Sequence, residues 1–120
     1  MPIEELIRRV KTGEPVDFQQ VIAAIDANYT YAPCRFSNGL GPAPLINEAG
    51  TNEGSCKIFY FARLHGLDQA QTLALFGDYY RRDVLEHPGE ANHGNIRRFM
   101  RDGWPGIHYE GVPLSPHSPA

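Results

Sequence analysis

The chain has 120 residues, with 11 Lys and Arg against 14 Asp and Glu and a formal net charge of -3. At 42% hydrophobic, 21% charged and 11% aromatic, it is about one domain long and too rich in apolar and aromatic side chains to be a disordered chain. The acidic balance disfavours nucleic acid, no apolar run approaches the roughly 20 residues of a membrane span, and residues 1–5 carry neither the basic nor the apolar region of a signal peptide. These features predict a cytoplasmic protein.

Ile3, Leu6, Ile7 and Val10 recur at helical spacing. Glu4 and Glu5 come early and Arg8, Arg9 and Lys11 late, an order that suits the helix dipole, and Gly13 is the expected stop. Asp17 with Gln20 has the spacing of a capping box and opens a second amphipathic helix through Phe18, Val21, Ile22, Ile25 and Tyr29. From Tyr31 to Gly54 the periodicity is lost among Gly, Pro and Asn. Arg35-Phe36-Ser37 before Asn38-Gly39 reads as a short strand entering a turn, and Phe36, Leu40, Leu45 and Ile46 call for burial.

Ser55 is the expected N-cap of a third helix, Cys56 to His65, so apolar on all sides that it belongs at the centre of the fold. Asp68 with Gln71 repeats the capping-box spacing and starts a fourth helix to about Glu86, with Gly77 a weak point in its middle. Asn92 caps a fifth helix that ends at Gly103, with Trp104 placed to pack on Phe99. Ile107 to Val112 is a weak strand. The expected architecture is α+β: about five helices around a buried central helix, with a small two- or three-stranded sheet. Residues 1–112 form the domain, and 113–120 a flexible Pro-rich tail.

Residues able to do chemistry gather at Arg35 to Asn38, Asn47 to Lys57, and His87 to Arg97, all irregular segments of the kind that build sites. Cys56 at a helix start, beside Lys57, has the surroundings that favour a thiolate. His93 as base and Asn95 as orienting group would complete a nucleophilic trio, if the fold joins the loops. The Gly-Ser-Cys run before an aromatic helix resembles papain-like proteases over only about seven residues. A small buried cysteine at a helix start is the favoured reading of Cys56 over the nucleophile.

Two cysteines, Cys34 and Cys56, are too few for a disulfide scaffold. They read as reduced thiols, although a single disulfide between them stays open. Nine arginines against two lysines point to specific pairing, with carboxylates or with an anionic ligand. His87, His93 and His108 match no zinc spacing, so neither metal nor cofactor is expected.

The runs Phe36-Ser-Asn-Gly39, Gly50-Thr-Asn-Glu-Gly-Ser-Cys-Lys57, His87-Pro88 and His93-Gly-Asn-Ile-Arg97, through Gly103-Trp104, are similar to the HopJ type III effector family over roughly Asp17 to Leu114. The resemblance implies a compact α+β domain from a Gram-negative bacterium, named after proteins delivered into host cells by type III secretion. The family assigns no catalytic roles. Delivered effectors tend to begin with a polar, Ser-rich leader, whereas Ile3 to Val10 reads as a folded helix.

Three functions follow. The first is a binding protein whose pocket, formed by the 35–57 and 87–97 loops, holds a small polar or anionic ligand through Arg35, Asn38, Asn52, Glu53, Lys57 and Arg97. The second is a Cys-dependent hydrolase or transferase using Cys56, His93 and Asn95. The third is a non-catalytic interaction module, with a host protein as partner if the chain is secreted.

Overall fold

The computed structural model of the chain describes residues 2–117. Its elements are α1 (Ile3–Thr12), α2 (Phe18–Asn28), β1 (Tyr29–Tyr31), β2 (Phe36–Asn38), β3 (Leu45–Asn47), α3 (Glu53–Leu64), α4 (Gln69–Ala74), a π-helical turn (Tyr79–Val84), α5 (Gly94–Asp102), a 3-10 turn (Trp104–Gly106), β4 (Ile107–Tyr109) and β5 (Leu114–Pro116). The class is α+β, as the pattern of apolar residues predicts.

The apolar run of α3 dictates the packing. Ile58, Phe59, Phe61 and Ala62 are wholly buried, and each large side chain removed from water contributes about 1.5–3 kcal/mol. Phe59 is the hub. Its ring centroid lies 4.8 Å from Phe99, 5.4 Å from Phe76, 6.2 Å from Phe36 and 6.5 Å from Trp104. Trp104 packs edge-on to Phe99 at 5.1 Å and donates its indole N–H to the Leu67 carbonyl at 3.1 Å.

Two small antiparallel sheets flank this core. One has the order β3-β2-β4, with Phe36 opposite both Asn47 and Tyr109; the other pairs β1 with β5, Tyr31 opposite Leu114. In β3 the alternation is inverted relative to hydrophobicity: Asn47 is buried and Ile46 is 42% exposed. Leu40, at 50%, is exposed as well. The burial expected for both apolar residues is therefore not found: the register turns Asn47 inward in place of Ile46, and Leu40 lies in the turn between β2 and β3.

Local signals behave unevenly. Asp68 and Gln71 form the capping box reciprocally, whereas Asp17 caps α2 without any side-chain bond. The fourth helix does not run to Glu86. It stops at Ala74 and resumes as the π-helical turn. Gly77 makes the break: its φ is +62°, and a Cβ there would sit 2.8 Å from the Phe18 main-chain nitrogen. The helix starts expected at Ser55 and Asn92 lie instead at Asn52 and His93.

The expected flexible tail is also corrected. Pro113 and Leu114 are buried, Leu114–Pro116 pairs with β1, and the Ala32 N–H donates to the Pro113 carbonyl at 2.8 Å. Proline suits such an edge strand because the lost N–H is not needed by the ladder. Residues 118–120 lie outside the described residues.

Leu114→Ala should therefore cost about 2–5 kcal/mol, as for other buried leucines, and lower the urea midpoint; a silent substitution would contradict the docked strand. A second prediction concerns His65, whose Nε2 lies 2.8 Å from the Tyr29 hydroxyl. Burial pushes its pKa below the ordinary histidine value. Below pH about 6.5 the unfolded chain takes up a proton that the folded chain resists, so stability is full above that pH and falls as the pH drops toward the folded value. His65→Gln should flatten that part of the stability profile.

Candidate functional site

The starts of α3 and α5, about 40 residues apart in sequence, meet around one cavity of about 380 Å³. Asn52, Gly54 and Ser55 line it from one side and His93, Gly94, Asn95 and Ile96 from the other, with Phe18, Phe76 and Tyr79 completing the wall. Gly54 and Gly94 have no side chains, so at these positions the main chain itself faces the cavity. Residues Glu53 to Ser55 and Gly94 to Ile96 are the first turns of their helices, where amide N–H groups have no intrahelical acceptor. No side chain caps either helix. The cavity thus receives the positive ends of two helix dipoles.

Three buried asparagines, Asn38, Asn47 and Asn95, together with the exposed Asn52 hold the two starts in place. Asn47 Oδ1 accepts from Asn52 Nδ2 at 2.7 Å and from Asn95 Nδ2 at 2.8 Å. Asn95 Oδ1 accepts from Asn47 Nδ2 and Asn38 Nδ2, both at 3.1 Å, and Asn38 Nδ2 also reaches the Asn95 carbonyl at 2.9 Å. Asn38 Oδ1 is buried without a partner among the described residues.

The two residues that cap the helices, Asn52 (φ 48°) and His93 (φ 53°), are also the two non-glycine residues with left-handed backbone among the described residues. Such a conformation costs about 1–2 kcal/mol at a residue with a Cβ. His93 is further fixed by Asp83, with Nε2 3.0 Å from Oδ2, and its ring lies 5.1 Å from Tyr79, which packs edge-on to Phe18 at 4.9 Å.

Of the residues expected from the sequence, Asn52, His93 and Asn95 line the cavity, and Asn38 supports it through Asn95. The others do different work. Arg35 bridges Glu48, at 3.0 Å, and Glu110 across the β-sheet side of the molecule. Lys57 pairs with Asp26 at 2.8 Å and lies over the Tyr31 ring at 4.7 Å. Glu53 is exposed in the first turn of α3.

Arg97 turns away and straps the 88–92 loop, giving Nε to the Asn92 carbonyl at 2.6 Å and Nη2 to Asn92 Oδ1 at 2.8 Å. It lines a second cavity, of about 330 Å³, with Val84, Leu85, Pro88, Met100 and Arg101. An anion clamp of Arg35 and Arg97 is therefore not formed, since each guanidinium is engaged elsewhere.

The nucleophilic trio is not assembled either. Because α3 starts at Asn52, the Cys56 N–H already bonds the Asn52 carbonyl, and the side chain enters the core at 1% exposure. Burial pushes its thiol up to about 11, opposite to the depression expected at an exposed helix start. Asn95 is taken up by the other asparagines, and Asp83, not Asn95, orients His93. The sequence reading missed Phe18, Phe76, Tyr79 and Asp83 and read Ser55 only as a cap. The aromatic residues carry the apolar spacing of ordinary core positions, so nothing local marks them as cavity wall. Among the described residues no cluster of three or more His, Cys, Asp or Glu could hold a metal ion, and no helix is long and apolar enough to cross a membrane.

The importance of Asn95 can be measured. Asn95→Leu keeps the approximate volume and the main-chain bond to Asn38 but removes the side-chain bonds to Asn38 and Asn47, at a cost of about 1–3 kcal/mol for each buried group left unmet. The urea unfolding midpoint should fall accordingly, and an unchanged midpoint would show that the asparagines are not coupled.

Comparison with known proteins gives two matches. Residues 3–114 match the family described as HopJ type III effector protein. A crystal structure of the protein of unknown function VPA0580 superimposes with a TM-score of 0.90 at 41% identity, over 97% of this chain and 94% of that one. No curated protein matches the chain.

Proposed function

The chain belongs to the HopJ type III effector protein family, and we propose that its working part is the cavity between the starts of α3 and α5, a binding site for a small polar or anionic molecule. One observation carries this: residues 52–55 and 93–96 converge on a single cavity of about 380 Å³, a size suited to a small ligand. Unpaired amide groups of two first turns, the Ser55 hydroxyl and the His93 imidazole supply polar contacts. The rings of Phe18, Phe76 and Tyr79 offer an apolar wall for the rest of the molecule. Main-chain N–H groups at helix starts favour a carboxylate or a phosphate.

The anion is held by dipoles and hydrogen bonds, without an arginine. The left-handed Asn52 and His93 support the same reading, because backbone strain is retained where surrounding structure over-determines it, commonly at ligand sites. The family description supports a further step, delivery of the protein into a host cell by type III secretion.

Amide chemical shifts recorded while inorganic phosphate and a set of small aromatic carboxylates are added would test the site. The shifts should concentrate at Asn52–Ser55 and His93–Ile96. Ser55→Phe, which fills the cavity, should weaken them by about tenfold or more, the scale of one lost charge-assisted contact, with the circular dichroism spectrum unchanged. Shifts confined to other surfaces, or none with any probe, would overturn the proposal.

A further inference from the structure

Away from the cavity the two cysteines approach each other. The Cys56 Sγ donates toward the Cys34 main-chain oxygen at 3.9 Å, so the buried thiol points at residue 34 itself. Both cysteines are free. Cys34 is half-buried in the 32–35 link between β1 and β2, where Ala32, Pro33 and Arg35 are all exposed, and its Sγ lies 3.4 Å from the Arg35 carbonyl. One thiol is therefore reachable from solvent and the other waits beneath it. Gly111 has no side chain to crowd the spot: a Cβ there would sit 3.5 Å from the Cys34 sulfur.

We infer that Cys34 and Cys56 form an oxidant-responsive pair, in which a hydroperoxide oxidises Cys34 and Cys56 then closes an intramolecular disulfide. In the first step the Cys34 sulfur attacks one peroxide oxygen, the O–O bond breaks, and the thiol proton leaves with the departing hydroxide. With hydrogen peroxide, one water leaves and Cys34 becomes a sulfenic acid. In the second step the Cys56 sulfur attacks the Cys34 sulfur, the S–O bond breaks, and a second water carries away the oxygen with the Cys56 proton. Two thiols and one hydrogen peroxide give one disulfide and two waters.

The order follows from access: peroxide meets Cys34 first, while Cys56 is buried at 1% exposure and its burial disfavours the thiolate. Disulfide closure brings the two sulfurs to about 2.05 Å, so the Cys34 side chain rotates from the Arg35 carbonyl, 3.4 Å from its sulfur, toward the Cys56 thiol of α3. The bond would pin the 32–35 link to α3 at the residue after Ser55, and so would couple oxidation to the cavity rim. It does not depend on what the cavity binds.

The test treats the reduced full-length protein with hydrogen peroxide, blocks remaining thiols with iodoacetamide and reads intact mass and peptide maps. Both thiols should escape alkylation within one chain, with a mass lower by two hydrogens and a linked peptide pair containing Cys34 and Cys56. In Cys56→Ser, Cys34 should stop at a sulfenic acid that dimedone traps. In Cys34→Ser, oxidation of Cys56 should be slower by about tenfold or more, as expected for a buried thiol. Two thiols that remain alkylatable, a disulfide between chains, or Cys34→Ser oxidising at the original rate would each overturn the inference.

Discussion

The hydrogen bonds of Asn95 join the two halves of the cavity. Its side chain takes amide hydrogens from Asn38 and Asn47 and gives one back to Asn47, while Asn47 in turn accepts from Asn52 at the start of α3. Four asparagines from two strands and two helices thus fix where both helices begin. In a low-dielectric interior such bonds strengthen one another, and each becomes costly to leave unmade. The same bonds set the register of β3: a slip by one residue would turn Ile46 inward and send both Leu45 and Asn47 to the outer face. The observed pairing of Phe36 with Asn47 leaves Ile46 exposed and keeps Asn47 in the polar network, with Leu45 half-buried on the same face.

This constraint explains why the helices start as they do. Asn52 and His93 hold left-handed backbone and leave the first amides of α3 and α5 uncapped. A Ser or Asp in extended conformation would have capped them by itself. Here the side chain of Asn52 is committed to Asn47 and that of His93 to Asp83, and the helix ends are left to the cavity. The aromatic hub around Phe59 supplies the rigidity against which these strained positions are kept.

Much of the frame was legible in the chain. The helical spacing of Ile3 to Val10, the all-apolar face of α3 and the Asp68–Gln71 box are local signals, and local physics honours them. The misreadings share one cause, tertiary contact overriding a local signal. Asp17 with Gln20 repeats the spacing of Asp68 with Gln71, yet the main chain there is packed by the turn at Gly77, which the sequence cannot show. Ser55 is a good cap in isolation, but the left-handed Asn52 starts α3 three residues sooner, and that displacement carries Cys56 from the solvent edge into the core. Pro113 and Pro116 suggested a loose end, while β1 offered an edge on which Leu114 could be buried. The convergence of the 52–55 and 93–96 segments was legible as an accumulation of Asn, Ser and His. The diversion of Arg35 was not, because its partners Glu48 and Glu110 come from distant parts of the chain, whereas Arg97 is taken up by the 88–92 loop that leads into its own helix.

The coupling between Asn47 and Asn95 is the most direct test of this account, measured as a double-mutant cycle of Asn47→Ala and Asn95→Ala by denaturant unfolding. Residues in one hydrogen-bond network show interaction free energies of about 0.5–3 kcal/mol. A value in that range, with the amide resonances of Gly54 and Gly94 displaced in both single variants, is the predicted result. Strictly additive losses, with each helix start undisturbed when the other's asparagine is removed, would contradict it.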